Sequence, residues 1–409
     1  MLLLGNPESD IRVIKTVRSL QDAGYRVSLF SIGPEQLGTT PDLHGARLHL
    51  VHAPRPLRML SGLRARLRRP SGQAQSARSN PVAATAQHGV LGDLRALGGT
   101  LWLNLVLALH AASHPAEIVH ANDLDTLPAA LLLKLRGARA VIYDAHELYP
   151  DMHSATSALY AGLWRLIEHR LIRHANAVIT VNAAIAGELQ RRHRLGRTPA
   201  VVMNCPVRVA EHPLTTSASG DAGVPMLFHG ALQPERGLEE VITAMPLLDE
   251  RISLAVRGDG PLRAHLEELA VAKGVSARVH FLPRVPPDRL IAELDGFSIG
   301  LVPYPPVSLN NYLCSPNKLF EYMMGGLAVL ASDVPELRRI LTETGAGLLY
   351  QTASPQSFAQ AVMALAGDPD RLARCRRAAR RAAEDRYNWE QQVIVLLAVY
   401  AGVVSVADS

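Results

Sequence analysis

The feature that most constrains this chain is an alternation that runs twice: short, β-rich apolar runs followed by amphipathic helical stretches, interrupted once by a segment without periodicity. Such alternation predicts parallel sheets covered by helices. In the first half, strands are expected at Leu2–Leu4, Val27–Ile32, Leu48–His52, Ile118–His120, Ala140–Tyr143, Ala177–Val181 and Val201–Met203. Helices are expected between them at Ile11–Ala23, Leu94–Ala112, Thr126–Leu135, Ala158–His174 and Ala183–Arg192. From Asn204 to Pro225 the chain is rich in Pro, Ser, Thr and Gly, as an interdomain linker is. The alternation then restarts with MLFHG, SLAVRG, RVHFL, FSIGLVPY, LAVLAS and AGLLY. It ends in a helical tail from about Ser354 to Val404, broken at Tyr387-Asn388-Trp389. The reading is an α/β protein of two doubly wound domains, 1–204 and 225–385, followed by a helix at 386–409 that needs a surface to cover.

Composition agrees with this reading. A chain of 409 residues holds two or three domains at the usual ~100–200 residues each. With 48% apolar and 19% charged residues it has the material for real cores, which excludes a disordered chain. The net charge of +5 is mild, but its distribution is not even. Only Lys15, Lys134, Lys273 and Lys318 are lysines, so each is conspicuous. Between Arg55 and Arg78 stand seven arginines and no acid, interleaved with leucines, inside an insert at about 54–92. This stretch reads either as a surface for anionic lipid or as a solvated loop; without stacking aromatics it does not read as a nucleic-acid site. Cys205, Cys314 and Cys375 are widely spaced without metal-site spacing, which suits a reducing cytoplasm. The MLLLGNPESD terminus lacks the basic and long apolar regions of a signal peptide, and the apolar runs at Ala96–Leu109 and Val393–Ala407 read as buried helices.

Doubly wound sheets bind ligands at the carboxyl ends of their strands, so function is expected in strand-to-helix loops and in a cleft between the domains. In the second half, the first such loop places Gly230 at a strand end and Arg236-Gly237 at a helix start, where a cation favours a diphosphate. The next offers Gly258, Asp259 and Gly260, either a ligand approach or a tight turn with Pro261 opening a helix. In NNYLCSPNKLFEYMMGG, Ser315 is expected to cap a helix with Pro316 at its first position. Lys318 and Glu321 then share a face, to meet a phosphate and a ribose, or else to pair with each other.

The segments SPNKLFEYMMGGLAVLASDVPEL, GALQPERGL and RGDGPL resemble the donor domain of the family-4 glycosyltransferases. DIRVIKTVRSLQDAGYRV, IVHANDLDTLPAALLLK and VIYDAHELYPD resemble a bacterial branch of the same family. The resemblance runs through most of the chain and implies the GT-B fold: two Rossmann-like domains facing across a cleft, with the C-terminal helix returning to the first. It implies a retaining enzyme that moves a sugar from a nucleoside-diphosphate donor to a glycan or lipid-linked hydroxyl; the expected location is the cytoplasm, at the inner face of the cell membrane if the arginine stretch meets lipid.

By the same resemblance Glu321 binds the ribose, Arg236 and Lys318 bind the diphosphate, and His146 at the end of a strand reaches the donor sugar. The donor set is then Glu321, Gly230, Gly258, Asp259, Gly260, Ser315 and Asn317; by their place at strand ends Gly5, Asn122, Asp123 and Glu147 read as the acceptor side, with a tight turn the alternative for Gly5. Two positions depart from the family pattern. Ala231 stands where a first basic residue is expected, and Leu313 stands eight residues before Glu321, where many members carry a glutamate.

His146 is also open to reading as a satisfied loop histidine, with Asp144 or Glu147 fixing its tautomer. Arg12 reads as a solvated helix arginine. No cofactor or metal is expected: Asp123-Leu124-Asp125 reads as acids opening a helix, and Asp368-Pro369-Asp370 as a turn. The competing readings are a sugar-nucleotide epimerase or hydrolase of the same fold, and a catalytically silent sugar-nucleotide-binding scaffold.

Overall fold

The computed structural model describes residues 1–32, 42–43, 45–51, 89–152, 156–209 and 223–407. The arginine-rich stretch Arg55–Arg78 and most of the expected linker, 210–222, lie outside the described residues. The chain divides into two compact units, Met1–Val202 with Val393–Ser409, and Met203–Gln392. The division falls at Val202/Met203 and inside the last helix at Gln392/Val393, whereas 204–225 and 386 are the sequence expectations. Residues 203–209 therefore belong to the second unit.

In the first unit the strands are β1 (Leu2–Leu4), β2 (Ser28–Ile32), β3 (Asp42–Leu43), β4 (Ala46–Leu50), β5 (Ile118–Asn122), β6 (Ala140–Ala145), β7 (Ala177–Thr180) and β8 (Ala200–Val201). They form one sheet in the order β3-β4-β2-β1-β5-β6-β7-β8. Every pairing is parallel except that of β3 with β4. The helices are α1 (Ile11–Asp22), α2 (Val90–Ala111), α3 (Leu127–Leu135), α4 (Ala158–Leu171) and α5 (Ala183–His193).

Asp10 caps α1 by accepting from the Val13 N–H. Val13 and Val17 on one face of α1 pack with Leu3, Leu29, Ala46 and Leu48 of the sheet. Helix α2 starts at Val90, earlier than expected, and at 22 residues is long and apolar enough to cross a membrane by length and composition alone. It is nevertheless docked on its own unit, because buried Asn104 accepts from the Ala129 N–H and donates to the Asp125 carbonyl.

The second unit carries β9 (Val224–His229), β10 (Ile252–Arg257), β11 (Val279–Leu282), β12 (Ile299–Val302), β13 (Ala328–Ser332) and β14 (Gly347–Tyr350). Its sheet is parallel throughout, in the order β11-β10-β9-β12-β13-β14. Around it lie α6 (Leu238–Ala244), α7 (Arg263–Ala272), α8 (Leu309–Leu313), α9 (Asn317–Met324), α10 (Pro335–Thr344), α11 (Pro355–Ala366) and α12 (Pro369–Asp385). Met226, Phe228, Leu254 and Val256 of the sheet share a core with Leu238, Ile242, Leu266 and Phe358 of the helices. Each such side chain contributes about 1.5–3 kcal/mol by leaving water.

The tail breaks between Asp385 and Trp389, after which α13 (Trp389–Ala407) crosses the division. In both units the first strand lies inside the sheet, with strand order running outward on either side, β2 against β5 around β1 and β10 against β12 around β9. These are the topological switch points where such sheets open a crevice at their carboxyl ends.

Candidate active site

At the switch point of the second unit, β9 and β10 end in register, His229 beside Arg257. The chain turns there through Gly230 and Gly258, with φ of +133° and +148°. A Cβ on Gly258 would lie 1.9 Å from the Gly230 carbonyl oxygen, and one on Gly230 would lie 3.2 Å from Lys318 Nζ. Both loops therefore pack backbone to backbone, which only glycine permits. The Leu232 N–H donates to the Asp259 carbonyl, and the Asp259 carboxylate accepts from the Gly260 N–H.

Lys318 enters this space from the first turn of α9. It is 7% exposed, with Nζ 3.8 Å from the Phe228 ring centroid and 5.1 Å from that of Tyr304. The Arg236 guanidinium lies 4.8 Å from the same Tyr304 ring. Burial, and secondly the Arg236 charge, draws the Lys318 ammonium well below the usual lysine range, against an opposing pull from Glu321.

Glu321, one turn on, is only partly buried, and its Oε2 lies 3.2 Å from His229 Nε2, off the hydrogen-bond direction. Burial, then the charges of Lys318 and Arg257, hold His229 neutral with a pKa of about 3. The His229 N–H donates to the Tyr322 hydroxyl, which anchors the strand end on α9. His229 was invisible in the sequence reading, although its place immediately before Gly230 at a strand end is the signal that points to it.

Two local expectations are corrected. Helix α9 begins at Asn317 with Pro316 in the N-cap position, so Ser315 precedes the cap and Pro316 is not the first helical residue. Helix α7 begins at Arg263, which leaves Pro261 in the turn before it. Arg236-Gly237 does open a helix, with Gly237 as the N-cap of the seven-residue α6, and at φ +69° Gly237 also lets the backbone pass Pro303.

In the first unit a second cluster forms where β5 and β6 end. Asp144 is the fifth residue of β6 and not part of the following loop, and it pairs in register with Asn122. Its carboxylate takes two hydrogen bonds from Arg12, Nε to Oδ2 at 2.9 Å and Nη2 to Oδ1 at 2.7 Å. Arg12 is 3% exposed, and its Nη1 donates to the Val202 carbonyl, so the expectation of a solvated helix arginine is overturned. Burial disfavours the Asp144 charge, but Arg12, His146 and His120 together more than offset this and keep the carboxyl well below its usual range.

His146 sits between two carboxylates. Its Nε2 is 3.4 Å from Asp144 Oδ2, its Nδ1 is 3.3 Å from Asp123 Oδ2, and its backbone N–H donates to Asp123 Oδ1. Burial opposes the imidazolium, yet Asp123 and Asp144 outweigh it and raise the ring to about 9. Asp123 itself is raised to about 6, chiefly by burial. It adopts a positive φ of 66°, a conformation rare outside glycine and concentrated at functional sites. Asp123 stands at the N-cap position of the helical turn Leu124–Thr126, as expected of an acid opening a helix, and its carboxylate holds His146. Asn122 donates to the Leu2 carbonyl and joins β5 to the switch-point strand. Gly5, at φ +151°, has open space where a Cβ would stand, and its carbonyl accepts from the Ser31 hydroxyl. Glu147 follows His146 at a partly buried position.

Two family models match the two halves of the chain. One, described as "Glycosyl transferase 4-like domain", covers residues 11–206, and one described as "Glycosyl transferases group 1" covers residues 224–368. The chain belongs to the family-4 glycosyltransferases.

Relatives of this glycosyltransferase agree. It is 26% identical over 335 residues to the D-inositol 3-phosphate glycosyltransferase of Salinispora tropica, covering 73% of this chain and 66% of that one. It is 21% identical over 290 residues to the glycogen synthase of Mycobacterium tuberculosis, covering 69% of this chain and 68% of that one. Among solved structures, sucrose-phosphate synthase of Thermosynechococcus elongatus matches with a TM-score of 0.73 at 16% identity, covering 99% of both chains. Anabaena HepE in complex with UDP-glucose matches with a TM-score of 0.67 at 15% identity, again over 99% of both chains. The two Rossmann-like units are those of a GT-B glycosyltransferase.

Of the expected donor residues, the second unit of this glycosyltransferase brings Gly230, Gly258, Gly260, Lys318 and Glu321 to one strand-end region, with Arg236 across Tyr304. Asp259 and Asn317 are exposed, and Ser315 is buried. Ala231 is exposed and Leu313 closes the short α8, and neither position supplies a charge.

Proposed function

We propose that this glycosyltransferase takes its sugar from a nucleoside-diphosphate donor and passes it, with retention of configuration, to a hydroxyl of a glycan or lipid-linked acceptor. The observation that carries the proposal is the pair Lys318 and Arg236 on the faces of Tyr304 at the switch point of the second unit. Lys318 and Arg236 at one ring in a partly buried site repel each other, against the pull of Glu321, and the arrangement favours a ligand with at least two negative charges. The open N-terminus of α9 adds backbone N–H groups to the same place. Glu321, partly exposed one turn further along α9, is then positioned to accept from the two hydroxyls of a ribose. The neutral His229 contributes no competing charge to that carboxylate.

In the proposed reaction the charge that grows on the leaving diphosphate is met by Lys318 and Arg236, which is where transition-state stabilisation has the greatest leverage. His146, an imidazolium between Asp123 and Asp144, serves the transferring sugar. Retention follows if the acceptor oxygen approaches on the leaving-group face and the diphosphate takes its proton. The proposal includes no metal. Of the two Asp-x-Asp pairs, Asp123 is engaged with His146, and Asp368 caps α12 by accepting from the Arg371 N–H.

The test is thermal stabilisation of the chain by UDP-, GDP-, ADP-, CMP- and dTDP-sugars, beside Glu321→Ala. Saturation at about 100 times Kd adds ~2.7 kcal/mol. One base class should stabilise the parent and not the variant. Release of nucleoside diphosphate should then rise when acceptor is added. Full-rate release without acceptor would replace transfer by hydrolysis, and no stabilisation by any donor would remove the nucleotide-sugar reading.

A further inference from the structure

Tyr400 lies on α13, in the part that belongs to the first unit, and its hydroxyl meets His120 Nδ1 at 2.8 Å although 280 residues separate them. Both side chains are buried, Tyr400 at 4% and His120 at 1% exposure. Burial holds the phenol well above its usual range, so the hydroxyl keeps its proton and can donate. Burial also lowers His120, against the pull of Asp144, so that its ring is neutral and carries a single proton. A hydroxyl donating to Nδ1 leaves that proton on Nε2. His120 Nε2 lies 3.5 Å from Asp144 Oδ2, and the same oxygen lies 3.4 Å from His146 Nε2; both are close electrostatic contacts off the hydrogen-bond direction.

We infer that Tyr400 and His120 are positioning residues for His146: the Tyr400 hydroxyl sets the His120 tautomer, His120 keeps its N–H close to Asp144, and Asp144 holds the His146 ring. The inference rests on the assignment of His146 to the reacting centre. If Nδ1 carried the proton instead, a lone pair would face the carboxylate at Nε2, and the ring would turn away or take up a second proton. A second proton would place a cation beside the oxygen that His146 uses, and His146 would lose part of the field that keeps it charged. The remaining charged groups around the cluster are Asp123 on the Nδ1 side of His146, Glu147 next to it, Arg12 across Asp144, and the Met1 amino group on the His120 side. Tyr400→Phe alters none of them directly.

The full chain, labelled with 13C at the histidine Cε1 positions, provides the readout, with the His146 resonance identified by its loss in His146→Gln. The parent should titrate well above the ordinary histidine range. Tyr400→Phe and His120→Asn should each lower the His146 midpoint by about half a pH unit or more. The double variant should shift it no further than the larger single change, since both act through one contact. Val403→Ala, a buried change on the same helix, should lower Tm and leave the midpoint in place. An unmoved midpoint in Tyr400→Phe, or strictly additive shifts, overturns the inference. Should Tyr400→Phe fail to fold, His120→Asn decides alone, and an unmoved midpoint there overturns it equally. The measurement needs neither donor nor acceptor, so its failure leaves the transferase reading intact, and failure of that reading in the donor panel leaves the midpoint shift interpretable.

Discussion

Replacing Lys318 by methionine separates binding from folding, because the structure assigns the two effects opposite signs. Methionine keeps the length of the buried stem and removes only the charge. In the free protein Lys318 is 7% exposed and its ammonium feels the Arg236 charge, so loss of that ammonium relieves a desolvation penalty and a repulsion. Against this stands the attraction to the Phe228 face at 3.8 Å, about 0.5–2 kcal/mol for a cation on a ring. The expected outcome is a Tm equal to or above that of the parent. In the bound state the same charge meets a phosphate, and a hydrogen bond to a charged group contributes about 1.5–3 kcal/mol. Donor affinity should therefore fall about tenfold to about a hundredfold. Calorimetry with the stabilising nucleotide sugar, beside thermal unfolding without it, reads both quantities. A lowered Tm with unchanged donor affinity would mean that Lys318 is a packing residue, and the diphosphate assignment would be lost.

Three further outcomes follow from the same geometry. Glu321→Ala should weaken nucleotide-sugar binding by about tenfold or more, roughly 1.4 kcal/mol, and an unchanged Kd would remove the ribose assignment. Gly258→Ala places a methyl 1.9 Å from the Gly230 carbonyl at φ +148°, so unfolding by urea should show a loss of about 1–3 kcal/mol together with loss of donor binding; a variant of parental stability would show that the loop relaxes. His146 has a folded pKa of about 9, above its ordinary 6.5, so its contribution to stability is complete below pH 6.5 and is lost as pH rises through 9. Asp123, raised from 3.8 to about 6, likewise lowers stability as pH rises through that lower window. Urea midpoints of the parent should fall above neutral pH more steeply than those of His146→Gln, and parallel curves would contradict the ion-pair geometry.

Much of the framework was legible in the chain because periodicity is local. The run Ile11–Asp22 buries Val13 and Val17 in the manner its spacing requires, and a glycine closing each apolar run marked the strand ends at Gly230 and Gly258. Boundaries were less legible: Asp144 reads as a loop residue, yet parallel pairing with Asn122 and with Ile179 carries β6 through it. The helix start at Asn317 was displaced by one residue, since Pro316 holds an extended ψ of 141° and acts as the N-cap.

The two α/β units, the glycine turns at their switch points, and the cations Arg236 and Lys318 near helix starts could be read from the chain, because each depends on residues within a few positions of one another. Partnership was decided only by tertiary structure. Arg12 and Asp144 are 132 residues apart, His229 and Tyr322 are 93 apart, and His120 and Tyr400 are 280 apart. Buried polar groups must find partners or lose the hydrogen bonds they made with water. The strand order β2-β1-β5-β6, together with a terminal helix that ends in the first unit, selects which of the available groups meet. Arg12 therefore looks like any exposed helix arginine in the chain and becomes a buried clamp only when β6 arrives beside it.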